Sequence, residues 1–102
     1  MKQSYPVFIF DTRDGCKHPF LAYIPDLDIL TEGDSLEDVI EMARDAIGVA
    51  GVFMEEKYGI PISSNDEIAM KKAKQNIDTI DFSKGILKRI DIDFYEYKKK
   101  LS

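Results

Sequence analysis

The spacing of hydrophobic residues changes along this chain and predicts where strands and helices lie. Residues 5–10, YPVFIF, are apolar on both faces, as is typical of a strand covered on both sides. Residues 20–24, FLAYI, predict a second strand, joined to the first by a loop that contains turn residues. A short strand over residues 28–32, centred on Leu30 and Thr31, follows the turn after Pro25.

A long amphipathic helix is predicted from Leu36 to Lys57. Its apolar residues recur every three or four positions, which places them on one face that packs on a sheet. Asp34 or Ser35 caps the start of the helix, and Ser35 with Asp38 resembles a capping box with aspartate in place of the usual Glu or Gln.

The second half of this helix, residues 48–54, is apolar on every side. Such a segment is buried on more than one side, and its glycines permit close approach of another backbone. Either the C-terminal part of the chain or a second copy of the chain covers it. Val49, Val52 and Phe53 are the predicted contacts of a homodimer.

The remaining pattern predicts a weaker helix over residues 67–75, a connection over 76–84, a strand over 85–93 and a last helical turn or two over 95–101. The order β-β-β-α-(α)-β-α predicts one two-layer α+β domain spanning residues 1–102. Its antiparallel sheet has three or four strands, with the long helix packed on it.

Composition narrows the class of protein. No apolar run approaches the length of about 20 residues that spans a bilayer, and residues 1–4 lead directly into a strand rather than into a signal peptide. One cysteine and one histidine do not make a disulfide or a zinc site. We therefore expect a cytoplasmic protein with no metal, no cofactor and no membrane contact.

Charge is unevenly distributed along the chain. Residues 1–70 contain 14 acidic and 5 basic residues, whereas residues 71–102 contain 5 acidic and 9 basic residues. Between Asp26 and Asp45 there are eight acids and one base, Arg44. Such a segment repels nucleic acid and attracts basic surfaces. The alternative interpretation is a solvated face that keeps the protein soluble.

Candidate catalytic residues have simpler explanations. Metal-dependent cleavage of RNA needs several carboxylates that converge on metal ions. Here Asp11 and Asp14 fit a turn, and Asp34 and Asp38 fit the start of a helix. Cys16 and His18 lie in a loop without a nucleophile motif. The chain is therefore not expected to be an enzyme.

Three segments together resemble a known family. A tyrosine strand runs into P-D-L, then a turn reads G-D-S-L-E-D, and a helix with alanines follows; these positions are Tyr23, Pro25, Asp26, Leu27, 33–38, Ala43 and Ala46. The segment 60–63, IPIS, and the closing segment 90–100, IDIDFYEYKKK, continue the pattern. In this combined order the chain resembles the HicB antitoxin family. It departs from the commonest family sequence at residues 28–30, DIL, where P-G-C or P-G-A is usual.

The resemblance implies a partial RNase-H-like fold and a non-catalytic antitoxin that neutralises a small HicA-type toxin, which cleaves mRNA, by direct contact. Many family members also carry a C-terminal DNA-binding domain. Because this sequence ends at Ser102, binding of DNA is not expected.

The acidic segment is the predicted toxin contact, because a toxin that binds RNA presents a basic surface. The candidate partner-facing residues are Asp26, Asp28, Glu32, Asp34, Glu37 and Glu41. An alternative function is a stand-alone HicB-like oligomeric adaptor or regulatory module with no toxin, and an RNase-H-like nuclease is a third.

Overall fold

The structure is a computed structural model and describes residues 2–11, 19–57, 59 and 61–101. Several residues singled out in the sequence lie outside the described residues: Asp14, Cys16, His18 and Ile60, the first residue of the segment 60–63.

Four antiparallel strands form one sheet in the order β3-β2-β1-β4. They are β1 (Lys2–Asp11), β2 (Phe20–Ile24), β3 (Ile29–Gly33) and β4 (Ile86–Asp93). The long strand β1 lies between β2 and β4, and β3 and β4 form the two edges. The predicted bounds of β2 are confirmed, whereas β1 begins earlier than its apolar run.

Three helices and a short 3-10 turn pack on the sheet. They are α1 (Leu36–Lys57), α2 (Asp66–Asn76), the 3-10 turn (Phe82–Lys84) and α3 (Phe94–Leu101). The predicted bounds of α1 are confirmed, and α2 begins after an Asn65 cap whose side chain accepts a hydrogen bond from the Ile68 N–H. The predicted α+β class with a four-stranded antiparallel sheet is confirmed. Among the described helices, none has both the length and the apolar character needed to cross a membrane.

One face of the sheet packs against α1 and forms the larger part of the core. Val39, Ala43 and Ile47 of α1 are fully buried there, as the helical spacing predicts. Their partners from the sheet alternate along each strand and include Tyr5, Val7, Ile9, Ala22, Ile24, Ile90 and Ile92.

The opposite face of the sheet is covered by α2 and the 3-10 turn. Phe82 is 1% exposed, and its ring centroid lies 5.2 Å from that of Phe8 and 5.4 Å from that of Tyr23. Ala69 and Ala73 of α2 are buried in the same cluster. This second covered face explains why β1 is apolar on both faces. Residues 76–84, which were expected to be a connection, contain the buried Phe82.

The C-terminal helix α3 lies against the glycines of α1. A Cβ atom added to Gly51 would lie 2.0 Å from Cε1 of Phe94, and one added to Gly48 would lie 2.7 Å from the ring of Tyr97. The glycines permit a close approach, but the neighbours are the aromatic side chains of Phe94 and Tyr97 and not the backbone that was predicted. Part of the covering of this half of α1 comes from the chain's own C-terminal segment.

Candidate partner-binding surface

The start of α1 is held by side-chain hydrogen bonds that place carboxylates at the surface. The backbone N–H of Asp38 donates to Oγ of Ser35 at 3.0 Å, as expected of a helix cap. The backbone N–H of Asp34 donates to the carboxylate of Asp38 at 2.9 Å. These two bonds form a capping box in which the Asp38 carboxylate accepts from the N–H of Asp34, the residue before the cap, instead of from the N–H of Ser35 itself.

Five of the six predicted partner-facing carboxylates are exposed along β3, its preceding turn and the first turns of α1. We call this set the acidic surface; its members are Asp28, Glu32, Asp34, Glu37 and Glu41. Arg44 is the one base between residues 26 and 45, and its guanidinium is paired with Glu41. Acids therefore outnumber bases by eight to one in the segment of the sequence that forms this surface.

Asp28 has an unusual backbone conformation that the sheet stabilises. Its φ of 52° is in the left-handed region, which aspartate tolerates better than most residues. Its carboxylate accepts a hydrogen bond from the hydroxyl of Tyr23 at 2.5 Å, and Nδ2 of Asn76 donates to the same hydroxyl oxygen at 3.0 Å. The pKa of Tyr23 is raised to about 12, mainly by burial of the hydroxyl and to a smaller extent by its hydrogen bond to Asp28. The position of Asp28 is thus set by the core.

Asp26 differs from the other five predicted contacts because its side chain is 0% exposed. Its carboxylate accepts hydrogen bonds from the backbone N–H of Ser64 at 3.0 Å and from the hydroxyl of Ser64 at 2.5 Å. Nζ of Lys72 donates to it at 2.8 Å. Asp26 therefore ties the turn between β2 and β3 to the start of α2, and it lies beneath the acidic surface rather than on it.

Apolar side chains beside the acidic surface were not among the residues predicted to contact a partner. Leu30 is 51% exposed, Leu36 is 46% exposed and Met42 is 44% exposed. Leu30 and Met42 line an open groove of about 320 Å³ together with Leu21, Thr31 and Glu32. The signal for Met42 was available, since it falls outside the buried face of α1. The exposure of Leu30 depends on β3 being an edge strand.

The predicted self-association residues occupy the second half of α1. Val49 and Val52 are partly buried, and Phe53 is 68% exposed. The structure places Phe94 and Tyr97 against the glycines of this half rather than over Phe53. Contact between two copies through these three residues stays a prediction.

The arrangement of titratable groups offers no metal centre within the described ranges. No three His, Cys, Asp or Glu side chains come together there in a way that would hold a metal ion. An open cleft of about 580 Å³ lies between α1, β4 and α3 and is lined by both acids and bases, including Arg44, Asp91, Glu96 and Lys99.

Comparison with known proteins identifies the fold. No protein-family model and no curated protein sequence matches the chain. Among solved structures, the chain is similar to one chain of a toxin–antitoxin complex from Streptococcus pneumoniae, with a TM-score of 0.67 and 23% sequence identity. The match covers 95% of this chain and 73% of that chain. The protein therefore has an α+β fold that also occurs in a chain of a toxin–antitoxin complex.

Proposed function

We propose that this protein is a non-catalytic, antitoxin-like component of a toxin–antitoxin system, and that it neutralises a small HicA-type mRNA-cleaving toxin by direct contact. The observation that carries the proposal is the acidic surface, formed by exposed carboxylates on a fold shared with a chain of such a complex. The resemblance of the sequence to the HicB family supports the same conclusion.

Electrostatics gives the physical reason for placing the contact at the acidic surface. A protein that binds RNA neutralises phosphates with lysine and arginine, so its working surface is basic. Carboxylates opposite that surface accelerate association and compete with the RNA for the same charges. Their number matters more than any single pair, because exposed ion pairs contribute about 0–1 kcal/mol each.

Affinity is expected to come from apolar contacts next to the carboxylates. Leu30, Leu36 and Met42 are each about half exposed and lie beside the acidic surface. Burial of apolar area contributes about 25 cal/mol per Å², and the residues that dominate binding usually sit in the middle of an interface with charges around them. The acidic surface would then set the rate at which the toxin is bound, and these three side chains would set the lifetime of the complex.

The first test is co-expression with the small basic protein encoded by an adjacent gene, followed by size-exclusion chromatography and an RNA-cleavage assay. We expect a complex that co-elutes and suppresses cleavage. If no complex forms, the proposed function is wrong, and a stand-alone oligomeric adaptor becomes the better description.

A pair of matched double variants tests the acidic surface itself. Glu37→Lys with Glu41→Lys changes the acidic surface, whereas Glu67→Lys with Asp78→Lys changes exposed acids elsewhere. Each double variant moves the net charge from −5 to −1, since each replacement adds two positive charges. Each also removes one acid from the first turn of a helix, Glu37 or Glu67.

The association rate with the toxin at low ionic strength separates the two variants. We expect it to fall by about tenfold for the first and to change little for the second, because steering depends on local charge. Equal rates for both variants would contradict the placement of the contact, while leaving the complex itself intact.

A further inference from the structure

The short helix α2 is linked by two side chains to the turn that carries Asp28. Lys72 and Asn76 are four positions apart in α2, which places them on the same side of the helix. Nζ of Lys72 donates to the carboxylate of Asp26 at 2.8 Å, and Nδ2 of Asn76 donates to the hydroxyl oxygen of Tyr23 at 3.0 Å. The Tyr23 hydroxyl donates in turn to Oδ1 of Asp28 at 2.5 Å. Both aspartates of the turn are therefore linked to one side of α2.

The bonds from Asn76 to Tyr23 and from Tyr23 to Asp28 form a hydrogen-bond chain with a fixed direction. A carboxylate only accepts, so the hydroxyl of Tyr23 gives its single proton to Asp28. The oxygen of that hydroxyl still accepts, and the amide of Asn76 donates to it. Since Tyr23 is 1% exposed, its ring has little freedom to follow movements of the turn. The amide of Asn76 therefore orients the group that holds Asp28.

Asp28 needs such a contact because of its backbone conformation. Its φ of 52° lies in the left-handed region, which residues with a side chain adopt only where surrounding contacts hold them. The contact comes from Tyr23 and, behind it, from α2. The conformation that brings the Asp28 carboxylate to the acidic surface thus depends on an element 38 or more positions further along the chain.

The packing of α2 gives this link a dynamic consequence. The buried residues of the helix are Ala69 and Ala73, which have small side chains. A helix of 11 residues is marginal without tertiary contacts, and elements that bury little apolar area open at a lower free energy than the rest of a fold. Docking of α2 and the conformation of the turn are therefore expected to change together.

We propose that α2 is the positioning element of the acidic surface, and that Asn76 acts through Tyr23 to hold Asp28 in the conformation that contacts a basic partner. Asn76 is a positioning residue, because it acts through another side chain. By linkage, a partner that binds the positioned surface also stabilises the docked state of α2. This inference rests on the proposed function and adds to it how the contact is organised before binding.

Positioning and charge act on different rates, which makes the two separable. Carboxylates accelerate association through long-range attraction, whereas a contact fixed in its bound conformation mainly slows dissociation. Asn76→Ala keeps the net charge at −5, since asparagine is uncharged. Gln75→Ala is the matched control, because it removes an exposed amide from the neighbouring position of the same helix.

The first measurement uses the free protein and the NMR backbone couplings that report the φ of Asp28. We expect Asn76→Ala to move Asp28 out of the left-handed region in part of the folded molecules, and Gln75→Ala to leave φ near 52°. A loss of stability alone does not change these couplings, because they are read from the folded protein. Unchanged couplings in both variants, or equal changes in both, would overturn the positioning role.

A double-mutant cycle tests whether Asn76 acts through Tyr23. Tyr23→Phe removes the hydroxyl in the middle of the hydrogen-bond chain. In that background we expect Asn76→Ala to have no further effect on the couplings of Asp28. A further effect as large as in the unmodified protein would overturn the route through Tyr23.

The second measurement uses the complex with the small basic protein encoded by an adjacent gene. We expect Asn76→Ala to raise the dissociation rate by about fivefold while the association rate changes by less than about twofold, and Gln75→Ala to change neither rate. A complex whose dissociation is insensitive to Asn76→Ala would retain the proposed function and overturn the positioning role. If no complex forms, the proposed function is wrong, and the couplings of Asp28 still decide whether α2 positions the turn.

Discussion

Two aspartates that look equivalent in the sequence have opposite environments in the structure. Asp26 and Asp28 are two positions apart on one turn, yet the side chain of Asp26 is 0% exposed and Asp28 is at the surface. The carboxylate of Asp26 has three hydrogen bonds from Ser64 and Lys72 that replace its water. A buried charge is tolerated only when it is paired in this way.

We therefore predict that Asp26→Ala destabilises the protein by about 3 kcal/mol, because the N–H of Ser64 loses its partner and Lys72 loses its counter-charge. Chemical denaturation measures this loss as a fall in the free energy of unfolding. Glu37→Ala is the matched control, since an exposed acid should change stability by no more than about 0.5 kcal/mol. Equal stability of the two variants would show that the bonds from Ser64 and Lys72 to Asp26 do not stabilise the fold.

Two buried tyrosines predict alkaline sensitivity. Burial raises the pKa of both Tyr5 and Tyr23 to about 12, with smaller contributions from the charge of Asp26 and from the bond to Asp28 respectively. In the unfolded chain both titrate near 10. Above that pH the unfolded state releases these protons first. The contribution of the two tyrosines to stability is therefore fully present below pH 10, and the free energy of unfolding falls as the pH rises from 10 towards 12.

Denaturation curves across this alkaline range, together with phenolate absorbance, check the prediction. Tyr23→Phe is the informative variant because phenylalanine has no proton to lose. Its stability at neutral pH should be lower, since Asp28 and Asn76 lose a partner, but its decline with pH should be shallower. A slope identical to that of the unmodified protein would contradict the raised pKa.

At the scale of elements, the contact between α1 and α3 depends on the absence of side chains. A Cβ at Gly51 would lie 2.0 Å from the ring of Phe94, which is itself 2% exposed and has little room to move. Phe94 also packs edge-on against Tyr5, with ring centroids 6.0 Å apart. This glycine therefore sets the position of the C-terminal helix against the core.

Gly51→Ala should consequently lower stability, even though alanine favours a helix by about 1 kcal/mol over glycine. Overpacking of a buried contact costs about 1–3 kcal/mol, so we expect a net loss of up to about 2 kcal/mol. A double-mutant cycle with Phe94→Leu measures the coupling, and the smaller side chain should recover part of the loss. If the stability losses of the two single variants simply add in the double variant, the Cβ of the new alanine does not clash with Phe94.

For the whole molecule, the exposed acidic and aromatic features belong to different elements or to different halves of α1. The acidic surface and the β3 edge belong to one end of the sheet, whereas Phe53 lies in the second half of α1 at 68% exposure. A large exposed aromatic next to partly buried Val49 and Val52 is a common feature of protein interfaces. The proposed toxin contact and the predicted homodimer contact therefore use different residues.

If Phe53 forms the predicted homodimer contact, Phe53→Ser should shift the protein from dimer to monomer in sedimentation equilibrium, with its fold retained. Ile62→Ser is the matched control, because Ile62 is 84% exposed and also apolar. The control should keep the oligomeric state of the unmodified protein. Identical behaviour of both variants would remove Phe53 from the interface.

Several elements could be predicted because their causes are local in the chain. The capped start at Ser35 and the spacing of Val39, Ala43 and Ile47 are sufficient to predict α1 from Leu36 to Lys57. The bounds of β2 follow similarly from an apolar run between turn residues. The exposed acids of α1 could also be predicted, since they fall opposite the buried face of the same helix.

The burial of Asp26 and Phe82 could not be predicted in the same way. Asp26 bonds to Ser64, which is 38 positions away, and the ring of Phe82 packs on Phe8 and Tyr23 from strands far earlier in the chain. Nothing in the local pattern around 76–84 indicates a buried aromatic. The edge position of β3 has the same origin, because it depends on the order in which strands pair.

By itself, then, the sequence determined where α1 and the strands lie and how strongly acidic the segment from Asp26 to Asp45 is, since periodicity, capping and charge act over a few residues. The packing of the folded chain settles which of those acids face solvent, which strands form the edges of the sheet and which glycines meet aromatic rings. These outcomes depend on contacts between distant parts of the chain, and such contacts arise only when the sheet and its helices pack together.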